Sequence, residues 1–157
     1  MEVFRLVKSI YARELNGKGA ALYGGRWNSK GVELIYTAGN RSLAMVEVLV
    51  NLPFNQLPSD LVMLTLGIPE DIVLQDCELH RLPPDWNRLP AVAATGLIGD
   101  SFVHQNEACL LKVPSVVTQG DFNYLINPAH RDFGLIRITK VEAFPLDQRF
   151  LRTSGQY

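Results

Sequence analysis

One helical run with a single acid in it constrains this chain more than any other feature. Leu43, Val46 and Val50 recur at the 3.6-residue period of one helix face. Met45, Val48 and Leu49 make the opposite side apolar as well, the pattern of a buried helix. Asn40 or Ser42 can cap its start, and Pro53 stops the run. Glu47 interrupts this apolar surface and shares the face of Leu43. A carboxylate so placed costs several kcal/mol unless it is paired, reached by solvent through a cleft, or protonated. It can be a structural acid paired with a core arginine. The site reading ranks higher, because perturbed acids cluster at functional sites.

Upstream lies Gly24-Gly25-Arg26-Trp27-Asn28-Ser29-Lys30-Gly31. It lacks the Gly-Lys-Ser/Thr ending of a phosphate-binding P-loop and the GxGxxG of a dinucleotide fingerprint. A surface turn accounts for Asn28 to Gly31 but not for Arg26-Trp27. Arginine presents a planar fork that grips phosphate or carboxylate at two points. Tyr36, between Arg26 and Glu47, is either a core aromatic of a strand or a ring that stacks on a planar ligand.

Residues 2–8 alternate as a strand, with Arg5 facing solvent by default or aimed into a cleft. Residues 11–23 read as loop, 32–38 as strand, 51–60 as connector and 61–67 as strand. Residues 69–86 read as short pieces. Pro90 opens a second helix through about His104, with Gly96 and Gly99 allowing close packing. Residues 108–113 form an apolar strand that should lie inside a sheet. Residues 121–131 read as a turn-rich loop, and 135–144 as a strand burying Ile136, Ile138 and Val141. The tail has few anchors beyond Leu146 and Phe150. This order lacks regular βα alternation. It predicts one α+β domain spanning 1–157, with a mixed or mostly antiparallel pair of sheets and few helices.

A formal net charge of -1 argues against nucleic-acid binding driven by phosphate neutralisation. No apolar run is long enough to span a bilayer, and the N-terminus does not read as a signal peptide. Cys77 and Cys109 are isolated, and His80, His104 and His130 lack ligand spacing. A cytoplasmic protein with no membrane contact and no required metal is expected. Ser115 follows the apolar strand, but without GxSxG or a close base it reads as a ligand-contacting hydroxyl, not a nucleophile. Asn123, Asn127 and His130 form a polar stretch that turn chemistry alone explains.

Together GGRWNSKG, YTAGNRSLAMVEVLV, VPSVV, NYLINPAH and FPLDQRF resemble the RES-domain family, toxins of bacterial toxin–antitoxin pairs named for an Arg, a Glu and a Ser. The resemblance covers nearly the whole chain. Asn51 departs from it, standing where the family often has His. It implies a fold like that of ADP-ribosyltransferase toxins and an activity that splits the nicotinamide–ribose bond of NAD+ by hydrolysis or phosphorolysis, with inorganic phosphate as co-substrate in the latter. NAD+ is then substrate, not cofactor. Glu47, Arg26, Tyr36 and Ser115 take the catalytic positions, and Arg5, Trp27 and Asn127 join Arg26, Tyr36 and Ser115 as ligand contacts. The implied partner is a helix-turn-helix, Xre-like antitoxin, in a complex that can contain a toxin homodimer. Two readings compete: a protein ADP-ribosyltransferase, and a non-catalytic module binding ADP-ribose or another nucleotide. Glu47 separates the second, since holding a pyrophosphate gains nothing from a carboxylate nearby.

Overall fold

The computed structural model describes residues 1–53 and 58–151. Its elements run β1 (Glu2–Lys8), α1 (Lys18–Tyr23), β2 (Ile35–Ala38), α2 (Arg41–Leu49), β3 (Leu61–Gly67), β4 (Leu74–Asp76), α3 (Ala93–Gln105), β5 (Leu110–Pro114), β6 (Phe122–Ile126) and β7 (Arg137–Ala143). The strands form one sheet in the order β4-β5-β6-β2-β1-β3-β7. Only β4 and β5 run parallel; every other neighbouring pair is antiparallel. The α+β class with a mixed sheet is as expected.

The sheet is nearly two. A single pair, Phe4 with Ala38, joins β1 to β2. On one side β1 and β3 pair along seven positions, and β7 continues from β3. On the other, β2, β6 and β5 form their own ladders. The expected pair of sheets is instead one sheet, whose two halves are stitched at one position.

Alternation along the strands sorts the core. Val3, Ile35, Leu64, Leu66, Leu110 and Ile126 share one cluster. Leu6, Ala38, Leu61 and Met63 meet Leu43 and Ala44 of α2 in a second. Leu34, Leu111, Val113 and Leu125 meet Trp27 and Phe102 of α3 in a third. The second and third are separate, each beneath its own helix. Asn40 caps α2, its side chain accepting the Leu43 N–H at 2.8 Å. The helix is not buried all round: among its residues only Leu43 and Ala44 are, and Val50 just beyond is 58% exposed. Val48, on its second apolar side, lines one cavity, and Val50, just past its end, lines another.

Three further expectations fail locally. Residues 11–23 contain α1, a six-residue helix, not only loop. Residues 121–131 contain β6, held between β5 and β2 by ladders on both edges. Val141 is 50% exposed, because β7 is an edge strand. A register shift near Thr65/Leu66 still pairs Val141 with Leu64 and Ile138 with Leu66. The helix opened by Pro90 begins three residues later, at Ala93. Among the described residues no helix is long and apolar enough to cross a membrane.

Candidate active site

A cleft opens beside the stitched position. Two adjoining cavities, of about 250 and 910 Å³, share Arg5, Tyr36, Glu47 and Asn51 in their walls. That range suits a small-molecule ligand. The walls are largely apolar, with these few polar groups converging.

Glu47 enters from α2. Its Oε1 accepts two hydrogen bonds, from Ser115 Oγ at 3.0 Å and Asn123 Nδ2 at 2.6 Å. Among the described residues no arginine pairs with it, so the structural alternative is not what they build. Oε2 has no partner among the described residues. No buried side-chain N or O lacks a partner there either, so Oε2 is accessible, on a side chain that lines both cavities. Ser115 is itself buried, and its Oγ accepts the N–H groups of Val117 and Thr118, both at 3.1 Å. With its lone pairs so engaged, its proton points to Glu47.

Tyr36 donates its hydroxyl proton to Asn28 Oδ1 at 2.7 Å and accepts the Trp27 N–H at 3.1 Å. Burial pushes its phenol above the ordinary tyrosine value; Asp100 adds to this, while the Trp27 N–H and Arg26 oppose it. Gly25 makes room: a Cβ there would sit 2.6 Å from the Tyr36 hydroxyl. The ring borders both cavities.

Arg26 borders the larger cavity. Its Nη1 donates to the Trp86 and Arg88 carbonyls at 2.6 and 3.1 Å, and Nη2 to Arg88 at 3.1 Å. Nε–H and the second Nη2–H have no partner among the described residues and stay available to an anion. Burial lowers its pKa from the usual guanidinium value, and Glu47 and Tyr36 raise it in opposition. Arg5 is not solvent-facing. It lies in the wall of both cavities, burial lowers its pKa, and among the described residues its Nη1 reaches only the Asn16 carbonyl, at 3.5 Å.

Two proposed ligand contacts lie elsewhere. Trp27 is 2% exposed, packed in the cluster beneath α3 and tilted against Trp86 with ring centroids 6.3 Å apart. Gly99 receives its backbone: a Cβ there would fall 1.7 Å from the Trp27 carbonyl oxygen. Asn127 is fully buried. It donates to Asn106 Oδ1 at 2.9 Å and accepts the Ala129 N–H at 3.0 Å, beside a different cavity near Val103 and His104. Both are scaffold residues here. Conversely, sequence reasoning assigned Asn123 to a turn, although it meets Glu47. The signal that could have found it is the alternation in Phe122-Asn123-Tyr124-Leu125, a strand pattern that sets Asn123 on the same face as Leu125.

The chain is similar to known proteins along most of its length. The family model described as the RES domain matches residues 2–147. The "Prs ADP-ribosylating toxin" of Sphingobium sp. (strain YBL2) is 36% identical over 148 residues, covering 92% of this chain and 91% of that protein. A "Toxin Res" of Photorhabdus laumondii is 34% identical over 154 residues, covering 97% and 98%. A chain of the crystal structure of the M.tuberculosis MbcT-MbcA toxin-antitoxin complex superposes with a TM-score of 0.75 at 17% identity, covering 92% of this chain and 84% of its own. That likeness speaks for the fold.

Proposed function

The chain belongs to the RES-domain family, and on that premise we propose that it is the toxin of a toxin–antitoxin pair that breaks the nicotinamide–ribose bond of NAD+. The observation that carries the reading is the Glu47 carboxylate, one oxygen held by Ser115 and Asn123 and the other without a partner among the described residues, in a cleft whose walls also hold Arg5, Arg26 and Tyr36. The names of the relatives support toxicity, and the titled complex supports an antitoxin partner.

The chemistry follows from charge. NAD+ brings a pyrophosphate, two riboses and a flat cationic ring. The free N–H groups of Arg26 suit the pyrophosphate, with Arg5 as a second cation in the same wall. Tyr36 offers a ring face for the nicotinamide. As neutral nicotinamide leaves, positive charge grows on the ribose, and the Glu47 carboxylate stabilises it. Ser115 holds the carboxylate in place. Water or inorganic phosphate then takes the ADP-ribosyl group. A cleft with apolar walls strengthens each of these electrostatic effects.

One observation favours a second acceptor: a relative 36% identical is named as ADP-ribosylating. A protein side chain would then replace water after the same bond cleavage. The test is incubation of the purified protein with NAD+, with and without phosphate, and with a cell extract, followed by mass analysis. Free nicotinamide with ADP-ribose, with its 1″-phosphate, or with a mass-shifted protein separates the acceptors. Intact NAD+ in every arm overturns the proposal.

A further inference from the structure

We propose that Asn123 is a positioning residue for this reaction: its side-chain amide, with the Ser115 hydroxyl, locks one oxygen of Glu47 so that the other faces the ribose. The inference rests on the reading of the site given above.

Glu47 stands in the last turn of α2, where the helix carbonyls gather partial negative charge. Its own helix therefore opposes its charge, and its donors must come from outside. Among the described residues one comes from β6 and the other from the residue just after β5. Register sets Asn123 opposite Val113 and Phe122 opposite Pro114, so Asn123 lies level with the end of β5. The Ser115 N–H donates to the Asp121 carbonyl at 2.9 Å, closing the connection between the two strands. The two donors are thus fixed to each other before Glu47 arrives from across the seam.

Only the amino end of an amide can face a carboxylate, so the 2.6 Å contact sets how the Asn123 amide lies. A single donor would leave the carboxylate free to turn about its last torsion. Two donors converging on Oε1 hold its plane and direct Oε2 into the cleft. Asn123 also lines the smaller cavity, beside Tyr36 and Thr37.

The experiment compares wild type, Asn123→Ala and Asn123→Asp for nicotinamide release from NAD+, with thermal melting of each as the check on folding. Asn123→Ala lowers kcat about 10- to 100-fold with KM within about twofold. Asn123→Asp keeps the size but sets a second carboxylate against Glu47, and falls below Asn123→Ala. A merely structural asparagine gives the opposite ranking, with the isosteric Asp the milder change. If one variant does not fold, the split between kcat and KM in the other decides. Wild-type kcat in either folded variant, or a loss confined to KM, overturns the role of Asn123 alone. A wild-type protein that leaves NAD+ intact overturns instead the reading on which it rests.

Discussion

Ser115 Oγ donates to Glu47 Oε1 at 3.0 Å while accepting the N–H groups of Val117 and Thr118. The hydroxyl is thereby a relay between a rigid loop and the acid, with each of its polar sites occupied. Ser115→Ala removes the donor and leaves two backbone N–H groups without it. The expected result is a kcat for NAD+ cleavage lowered about 10-fold or more, with stability reduced by about 1–2 kcal/mol. Steady-state kinetics and urea unfolding measure the two effects separately.

Glu47→Gln keeps the shape and the acceptor oxygen for Ser115 and Asn123 but removes the charge. NAD+ cleavage is expected to fall by at least about 1000-fold, with the melting temperature held or raised. A variant cleaving at the native rate removes Glu47 from the chemistry.

Arg26→Lys tests the fork rather than the charge. The guanidinium serves two carbonyls at once and retains N–H groups for a ligand. An ammonium cannot do both. The expected outcome is a KM for NAD+ raised about 10-fold, read by initial rates, with the fold intact by circular dichroism.

Gly99→Ala places a methyl 1.7 Å from the Trp27 carbonyl oxygen, a backbone atom that cannot swing aside. Helix α3 must shift from the Arg26-Trp27 loop, at about 2–3 kcal/mol. Denaturant titration should show the loss; unchanged stability would mean the loop and helix are not packed as described.

Alkaline pH should weaken the fold. Burial pushes the Cys109 thiol from its ordinary 9.0 up to about 11, with Asp132 adding to the shift, and burial also raises Tyr36. Between those values the unfolded chain holds fewer protons than the native one, so stability falls as pH rises. The thiol's contribution is complete below about pH 9 and is lost through about pH 11. Melting temperatures across this range should decline, and less steeply in Cys109→Ala.

Much of this was legible in the chain. The periodicity around Glu47, the Asn40 cap and the strands at 2–8 and 61–67 are local signals, and the structure keeps them. What was not legible depends on partners distant in sequence. Asn123 and the Asn127-Pro128 turn look alike in a linear reading, yet ladders to β5 and β2 make the first a strand residue. Trp27 beside Arg26 looked like a ligand contact; only the missing Cβ of Gly99, on a helix far along the chain, draws it inward. The strand alternation leaves Arg5 facing solvent by default, with a cleft as the alternative. Its burial comes from the cleft at the boundary between the two halves, which no single strand encodes.

That boundary has a mechanical meaning. Along β1 and β3 seven rungs hold the ladder, but between β1 and β2 there is one. Prying the molecule apart at Phe4 and Ala38 breaks a lone rung while every other ladder stays whole. The thinnest ladder in the sheet therefore borders the cleft that holds Glu47, since Phe4 and Ala38 both line its smaller cavity. Val3, Leu64 and Leu66 on one side of this ladder pack with Ile35, Leu110 and Ile126 on the other, so burial, not strand pairing, ties the two halves together.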